Sequence, residues 1–551
     1  MLGILYSVRV AVGGPTGVLA RADRFAGNRT RTRESSIKPD MAGADQGESF
    51  TAKFDQFSRA NVNSETLLFT LTCAYVVLVP TLSFIPSLSP FNEKRAIQVG
   101  VLIAVAGGLL AVRAARQRWL TTVCRLPLAA RWGLGGVLSL GLLSSVLAPA
   151  PFYALLEVGH VVLLFVAAGV VASEVRRAPA WTQRAILGIV AVSAGLYAVY
   201  FVVGYGAHLA VADIKSWPEG GTNYANIRFF NHYQTWTLPL LAGIVLSLTR
   251  RWRVGRGFAF GLVALWWALV FASSVRGTVV AMGVAAIGSG LLFRGRAKKW
   301  LLIQAAGVLL GLGLYYLLFS AGEAPRAADK FGDPAQYSRR LRHWRVCLEM
   351  AWTHPILGIG PMHFAWLPYP FTEPASPHSA LMRGLAEWGV PSMIAMVGLT
   401  GWGGWQWMKQ ERETESTPNG VPKAAGVALV ASVLAGAAHS MVSGLILAPL
   451  SQMLLVLVGG WAWGRYQHAD RSIEIDVSVR SHVLLGALLL GSMLIVGGSL
   501  KDLSTIEERR SAFRESTDHR NRLSPRYWAQ GYIGVRDSSV IERAGSVGGS
   551  D

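Results

Sequence analysis

The sequence is poor in charged residues and in cysteine. Only 15% of its 551 residues are charged, whereas soluble domains carry about 25%. The three cysteines, Cys73, Cys124 and Cys347, are too few and too far apart for a disulfide framework or a zinc cluster. The 60 glycines and 24 prolines follow no period, which argues against a collagen-like or low-complexity chain. The low charge therefore excludes an ordinary soluble protein.

Long apolar runs make up much of the chain. Hydrophobic residues account for 52% of it, and the mean hydropathy is +0.37. An apolar run of about 20 residues crosses a bilayer as a helix. Thirteen runs qualify: 66–86, 96–112, 132–149, 152–173, 185–205, 232–249, 257–274, 277–293, 300–320, 379–407, 424–443, 446–463 and 483–500. We expect an all-α, polytopic transmembrane helical bundle of twelve or thirteen spans.

The net charge of +20 is distributed unevenly between the connections. One alternate set is rich in arginine and lysine, as in the loops around 113–131, 250–256 and 294–299. The short loops between them hold only Lys94, Arg95, Lys215, Arg228 and Arg276. By the positive-inside rule, the basic set and the N-terminus are cytoplasmic. The positive charge thus reports topology and argues against a nucleic-acid partner.

Five segments follow from this map. Residues 1–64 form a polar tail that we expect to be cytoplasmic and disordered, or to precede a true start at Met41. Residues 65–320 hold the first nine spans, and 379–500 hold the last four. Between them, 321–378 is the one long outer loop. Residues 501–551 lie outside if there are thirteen spans and inside if there are twelve.

The long loop contains a predicted helix. Ser338 can cap it, and Pro355 stops it after about Trp352. An apolar stripe along it is typical of a helix that lies in the membrane interface; the stripe consists of Leu341, Trp344, Leu348, Ala351 and Trp352. Arg345 can pair with Glu349. Arg340 has no acidic residue one turn on, so it either binds an anionic ligand or reaches to water.

Two further loop features are candidates for chemistry. Gly358 and Gly360 stand beside prolines, so they predict a tight turn whose backbone amides could face a ligand. His378 lies at the mouth of the tenth span, where it is either a reactive group or an interfacial side chain that suits water and lipid.

Three arginines belong to the same side of the bilayer. Arg276 joins two spans that almost touch in sequence, Arg228 precedes the sixth span within a polar and aromatic cluster, and Arg340 lies in the long loop. Charges at the membrane boundary are costly, so they are usually functional or paired.

Few charges fall inside the apolar runs. Glu157 and His160 are one turn apart, and we expect a mutual hydrogen bond rather than a metal site. Arg383 and Glu387 have the spacing of an ion pair. His439 lies within the eleventh run.

The order of these motifs resembles the O-antigen ligase and polymerase superfamily over roughly residues 220–465. The motifs are Ser-x-Arg-Gly at a span junction (Ser274, Arg276, Gly277), Ser-x-Arg with a following Trp (Ser338, Arg340, Trp344), Pro-x-x-Gly-x-Gly (Pro355, Gly358, Gly360), and Pro-His before a span with Glu-x-Gly (His378, Glu387, Gly389). Ser379 departs from the family, which commonly has Asn after the histidine.

The resemblance implies an architecture like that of GT-C glycosyltransferases, in a bacterial inner membrane, with the active site facing the periplasm. Such proteins transfer a glycan from undecaprenyl pyrophosphate to an acceptor hydroxyl, and the ligases are regarded as needing no metal or ATP. Arg276 and Arg340 match the pyrophosphate-binding arginines and His378 the key histidine, while Arg228 joins them only by its side of the membrane. Trp344, Gly358, Gly360 and Glu387 are candidates on the loop and acceptor side.

The sequence leaves several functions open. We favour O-antigen ligation to the lipopolysaccharide core, with a glycan or glycolipid acceptor. An O-antigen or exopolysaccharide polymerase and a protein O-oligosaccharyltransferase are alternatives that differ in acceptor. A transporter of lipid-linked glycans or polysaccharides is the non-enzyme alternative, and a scaffold for polysaccharide export is a third class.

Overall fold

A computed structural model describes most of the chain. The described residues are 64–211, 217–218, 222–249, 251–320, 334–366, 375–413, 423–468, 478–508, 511, 525–531 and 533. The tail 1–63 lies outside them, as do Tyr369 and Phe371 of the long loop, whose rings, with that of Trp366, we predict from the sequence to stack on sugars of the acceptor.

Every long regular element in the described residues is a helix. In chain order the α-helices are α1 (Ser64–Leu78), α2 (Pro90–Ala111), α3 (Arg113–Cys124), α4 (Leu128–Leu147), α5 (Pro151–Arg177), α6 (Pro179–Ala210), α7 (Ile227–Ser247), α8 (Arg253–Ser273), α9 (Arg276–Phe293), α10 (Lys298–Tyr315), α11 (Pro334–Thr353), α12 (Ala380–Glu413), α13 (Lys423–Ser440), α14 (Pro449–His468) and α15 (Val479–Gly498).

The helices confirm an all-α, multi-pass membrane bundle. Each of the thirteen predicted runs falls on a helix, while α3 and α11 lie in the connections. Among the described residues, seven helical segments are long and apolar enough to cross a membrane by length and composition. One of them, Arg276–Phe319, contains two predicted runs with a short 3₁₀ turn between them. Crossing by all thirteen runs stays a prediction.

Proline sets the largest difference in helix boundaries. We predicted a first run to residue 86, but α1 ends at Leu78, just before Pro80. Pro86 and Pro90 follow, and Pro90 begins α2 six residues earlier than predicted. Proline disfavours helical backbone in the residue before it and is tolerated in a first turn.

One end of the bundle carries the basic connections, and we call it the basic end. Arg465 at the end of α14 pairs with Glu411 of α12 (Nε to Oε1, 2.5 Å) and donates to Gln183 at the start of α6 (2.9 Å). Arg296 donates to the carbonyl of Arg412 (2.7 Å). These contacts bring together the connections that the charge rule assigns to one side.

The opposite end holds His232, His378 and His439, and we call it the histidine end. Residues 525–531 and 533 pack here, with Trp528 only 2% exposed. The Arg95 Nε donates to the carbonyl of Tyr527 (3.1 Å), which ties this C-terminal segment to α2.

The two chain ends of the described bundle therefore lie at opposite ends of it. Thr66 in the first turn of α1 donates to Glu174 (3.1 Å), which pairs with Arg177 at the basic end. The C-terminal segment lies at the histidine end. This placement of the two ends is the one expected for an odd number of spans, and the number of spans stays a prediction.

Helix α7 runs through the centre of the bundle. Pro239 interrupts its hydrogen-bond ladder, and buried side chains of α10 satisfy the nearby carbonyls. The Trp300 indole donates to Pro239 O (3.0 Å), and Gln304 donates to Leu238 O (3.1 Å). These bonds fix α7, whose first turn carries Arg228 at the histidine end.

Thiol labelling of intact cells tests this topology. In a chain without Cys73, Cys124 and Cys347, we expect Glu508→Cys to react with an impermeant thiol reagent and Val254→Cys to be shielded. Both positions are exposed on the protein surface, and Val254 is 88% exposed, so accessibility depends on the side of the membrane. Labelling of Val254→Cys alone would reverse the orientation, and shielding of both would favour twelve spans.

Candidate functional site

Two arginines lie in the first turns of adjacent helices at the histidine end. Asn226 caps α7 by accepting a hydrogen bond from the Arg228 backbone N–H (2.9 Å), and the Arg228 side chain is exposed. Ser274 has left-handed backbone (φ 54°), which allows α9 to begin at Arg276 directly after α8. Helix N-termini carry partial positive charge and unsatisfied N–H groups. Both arginines therefore add to a field that attracts anions.

Asn231 locks these two helix starts together. Its Nδ2 donates to Ser273 Oγ (2.9 Å), and the Thr278 hydroxyl donates to its carbonyl (3.2 Å). All three residues are buried. The spacing between the first turns of α7 and α9 is therefore fixed by hydrogen bonds.

His439 forms the floor beside Arg276. Its Nδ1 lies 2.7 Å from the Thr235 hydroxyl, and its ring meets that of His232 edge to face at 5.2 Å. Gly277 packs so closely on the His439 ring that a Cβ there would overlap it. This contact explains the glycine of the Ser-x-Arg-Gly motif.

Helix α11 of the long loop begins earlier than predicted. It starts at Pro334, so Ser338 lies inside it, and the prediction of Ser338 as the cap was wrong. Proline is well suited to a first helical turn, and it precedes Ser338 by four residues. The Arg345–Glu349 ion pair is confirmed at 3.1 Å on the exposed face.

The apolar stripe of α11 divides between two faces. Leu341, Leu348 and Trp352 are 61%, 52% and 87% exposed, as a helix in the membrane interface requires. Ala351 is buried, and Trp344 is half-buried with an indole nitrogen that has no hydrogen-bond partner among the described residues. Two of the five stripe residues therefore face the protein.

His378 lies where the loop meets α12. Its backbone is left-handed (φ 54°), a conformation that costs free energy for a residue other than glycine. Ser379 accepts a hydrogen bond from the Met382 N–H (3.4 Å) and caps α12. Serine here performs the capping role for which asparagine is equally suited.

The structure brings two predicted arginines to His378. Burial, followed by the positive charges of Arg228, Arg340 and His343, lowers the pKa of His378 to about 3. Arg340 also interacts electrostatically with His439, whose ring contacts the turn that begins with Arg276. Arg228, Arg340 and His378 therefore share one site, and Arg276 borders it through His439.

Gly358 and Gly360 have left-handed backbone, and Gly358 lies against α12. The Gly358 N–H donates to His354 O and the Ile359 N–H to Ala386 O, both at 2.9 Å. Backbone carbonyls therefore occupy the amides of Gly358 and Ile359, and the prediction that amides of this turn face a ligand was wrong for these two. For the Gly360 amide it stays a prediction. Gly358 packs closely on the backbone of α12 just before the non-helical turn at Gly389 (φ 77°), and a Cβ at residue 358 would overlap that backbone. This contact explains why residue 358 is glycine.

Glu387 is fully buried. Its Oε1 accepts the Phe364 N–H (3.1 Å), and Oε2 accepts Arg526 Nη2 (2.6 Å). The predicted pair with Arg383 is present at 4.0 Å. A role of Glu387, Trp344, Gly358 or Gly360 toward an acceptor stays a prediction.

Glu157 and His160 do not bond to each other, so that prediction was wrong. Glu157 accepts a hydrogen bond from Arg526, while His160 Nε2 lies 3.0 Å from Arg95 and 3.1 Å from Gln452. Their partners, Arg526, Arg95 and Gln452, come from distant segments, which helical spacing does not reveal. In the described residues no group of three or more His, Cys, Asp and Glu side chains could hold a metal ion.

Sequence reasoning missed three residues around this end. His232 and His343 adjoin His378, and Arg526 binds Glu387. The polar and aromatic cluster after Arg228 contains His232 and could have indicated it as a site residue. No sequence feature indicates Arg526, because it lies in a polar tail 139 residues from Glu387.

Fold and site together define a multi-pass helical membrane protein with a cationic site at one end. Within this class, residues 260–397 match the family model described as O-antigen ligase. Over these residues, the match confirms the resemblance stated from the motifs. This family acts on glycans, and the matched residues include Arg276, Arg340 and His378. No curated protein matches the chain.

Histidine NMR tests the environment of His378. Because its pKa is lowered to about 3, the imidazole should stay neutral from about pH 8 to about pH 5, where an unperturbed histidine with a pKa of about 6.5 becomes protonated. The ¹⁵N signal that disappears in His378→Gln should not shift over this range. A titration midpoint between about 6 and 7 would contradict the buried, cation-flanked placement.

Gly277→Ala tests the packing of α9 on His439. The added methyl group would overlap the His439 ring, which Thr235 holds, so we expect a loss of about 1–3 kcal/mol in the free energy of unfolding. Gly283→Ala on the same helix is the control, since no atom lies within 4 Å of its Cβ position. Equal thermal stability of the two variants in detergent would refute the contact.

Proposed function

We propose that this protein transfers a glycan from undecaprenyl pyrophosphate to an acceptor hydroxyl at the periplasmic face of a bacterial inner membrane. The observation that carries the proposal is the convergence of Arg228 and Arg340 on a neutral His378, with the last two inside the O-antigen ligase match. The proposed reaction is ligation of O-antigen to the lipopolysaccharide core.

The arginines suit a pyrophosphate leaving group. The bond between the sugar and the pyrophosphate breaks, and negative charge develops on the leaving phosphate oxygen. Guanidinium groups stabilise such charge through paired hydrogen bonds, and the starts of α7 and α9 add their dipoles. Arg276, Arg340 and Arg228 take this role, and the leaving group then needs no proton donor.

His378 suits the acceptor. The hydroxyl that attacks the sugar must lose a proton, and a neutral imidazole can take it or orient the hydroxyl, which typically contributes about 10²- to 10⁴-fold to the rate. The lowered pKa keeps this imidazole neutral at pH 7. Binding of an anionic pyrophosphate nearby would raise its pKa and strengthen it as a base.

The placement of charge disfavours a transporter. A transport path would need polar or cationic residues through the depth of several spans. Here the predicted arginines lie in first turns and in the loop at one end of the bundle. Ligation and polymerisation share this donor site and differ in the acceptor, so gene deletion must separate them.

Alanine variants test the site. We expect Arg276→Ala, Arg340→Ala and His378→Ala each to lose at least about 100-fold of the transfer rate measured with purified protein, a lipid-pyrophosphate glycan and core acceptor. His378→Ala should still bind the donor, whereas the arginine variants should bind it more weakly. Arg345→Ala on the exposed face of α11 is the control. Wild-type turnover by a folded His378→Ala protein would end the assignment of the base.

A deletion strain tests the reaction. Ligation predicts loss of long-chain lipopolysaccharide with accumulation of polymerised lipid-linked glycan. Lipopolysaccharide capped with a single repeat would instead show a polymerase. Unchanged lipopolysaccharide with loss of sugar from a glycoprotein would show a protein transferase.

A further inference from the structure

The C-terminal segment, residues 525–531 and 533, is buried in the histidine end. Arg526 is 3% exposed, and Trp528 and Ala529 are each 2% exposed. The Ala529 N–H donates to Asn92 Oδ1 (2.7 Å), and Tyr527 O accepts from Arg95 (3.1 Å). These bonds attach the segment to α2, independently of Arg526.

Arg526 joins two carboxylates from helices that are distant in sequence. Its Nη2 donates to Glu157 of α5 and to Glu387 of α12 (2.6 Å). Two buried carboxylates repel each other, and each is costly without a partner. Arg526 therefore supplies the charge that allows α5 and α12 to meet here, with Arg383 4.0 Å from Glu387.

The same segment holds the loop that packs on α12. Glu387 accepts the Phe364 N–H (3.1 Å), and the Ile533 N–H donates to Ala365 O (3.1 Å). The loop in turn bonds α12 on either side of Glu387, through Ile359 N–H to Ala386 O and Val390 N–H to Pro355 O. Loop, C-terminal segment and α12 thus form one hydrogen-bonded unit.

The first part of α12 depends on this unit for its orientation. Non-helical Gly389 (φ 77°, ψ 167°) separates residues 380–388 from the rest of the helix. The helical segment after Gly389 therefore does not set the orientation of residues 380–388. His378 precedes this first part, nine residues and about 13 Å from Glu387.

We propose that the C-terminal segment is a positioning element of the transfer site, in which Arg526 fixes residues 380–388, and with them His378, through Glu387. This inference rests on the proposed function. Arg526 is a positioning residue, because it acts on His378 through the helix and not on the substrate. A misplacement of about 1 Å at a reacting group can cost about 100-fold in rate.

Variants of the full-length protein separate positioning from stability. We expect Arg526→Met to lower kcat about 100-fold with little change in KM for the donor, and Arg526→Lys, which keeps the charge but loses the guanidinium fork, to fall between it and wild type. Arg465→Lys, which alters the Arg–Glu pair at the basic end, is the matched control and should keep the wild-type kcat.

A triple variant covers the case in which Arg526→Met does not fold. Glu157→Gln/Glu387→Gln/Arg526→Met removes all three charges, so we expect its thermal stability to recover. Its kcat should stay low, because the bonds by which Arg526 fixes Glu387 to the C-terminal segment are lost. Recovery of kcat together with stability would overturn the positioning role.

A distance measurement keeps the test independent of transfer. Spin labels at Leu381 and Val397 flank Gly389, and we expect their distance distribution to shift or broaden in Arg526→Met and in the triple variant, but not in Arg465→Lys. Absence of transfer by the wild-type protein would reject the proposed function alone. An unchanged distribution in both Arg526 variants would reject the positioning role alone.

Discussion

The cost of placing charge in an apolar bundle governs this structure. At the basic end Arg465 and Glu411 meet at 2.5 Å, and at the histidine end Arg526 bridges Glu157 and Glu387. In both clusters the buried charges have partners from distant segments of the chain, because an isolated ion in a medium of low dielectric constant is strongly unfavourable. These pairs fix which helices meet at each end.

The histidine end combines rigid and strained parts. Asn231 and Thr278 bond the starts of α7 and α9 into a fixed frame that carries Arg228 and Arg276. Opposite this frame, His378 has left-handed backbone before a short helical piece that Gly389 separates from the rest of α12. Strained backbone of this kind persists only where the surroundings hold it. The C-terminal segment and the loop supply these surroundings through their bonds to α12 on both sides of Glu387.

Apolar length and charge asymmetry made much of this architecture predictable. The thirteen runs match helices because lipid requires every backbone group to be satisfied within its own segment. The positive-inside rule, applied to the basic loops, predicted that Arg228, Arg340 and His378 lie on the same side of the membrane. Residue spacing within one helix predicted less: the start of α11 at Ser338 and the Glu157–His160 hydrogen bond were both wrong. Helix starts and side-chain partners depend on the segments that pack against each helix. Arg526 was beyond prediction, since a polar tail gives no indication of which buried carboxylates it will reach.

The measurement that tests the central claim most directly is the fate of a lipid-pyrophosphate glycan incubated with the purified protein and a core glycolipid. Direct attack by the acceptor hydroxyl on the sugar carbon, with arginines stabilising the leaving group, predicts two products: free undecaprenyl pyrophosphate, and a new glycosidic bond whose anomeric configuration by NMR is inverted relative to the donor. Release of undecaprenyl monophosphate, retention of configuration or movement of intact donor across the membrane without transfer would contradict the account.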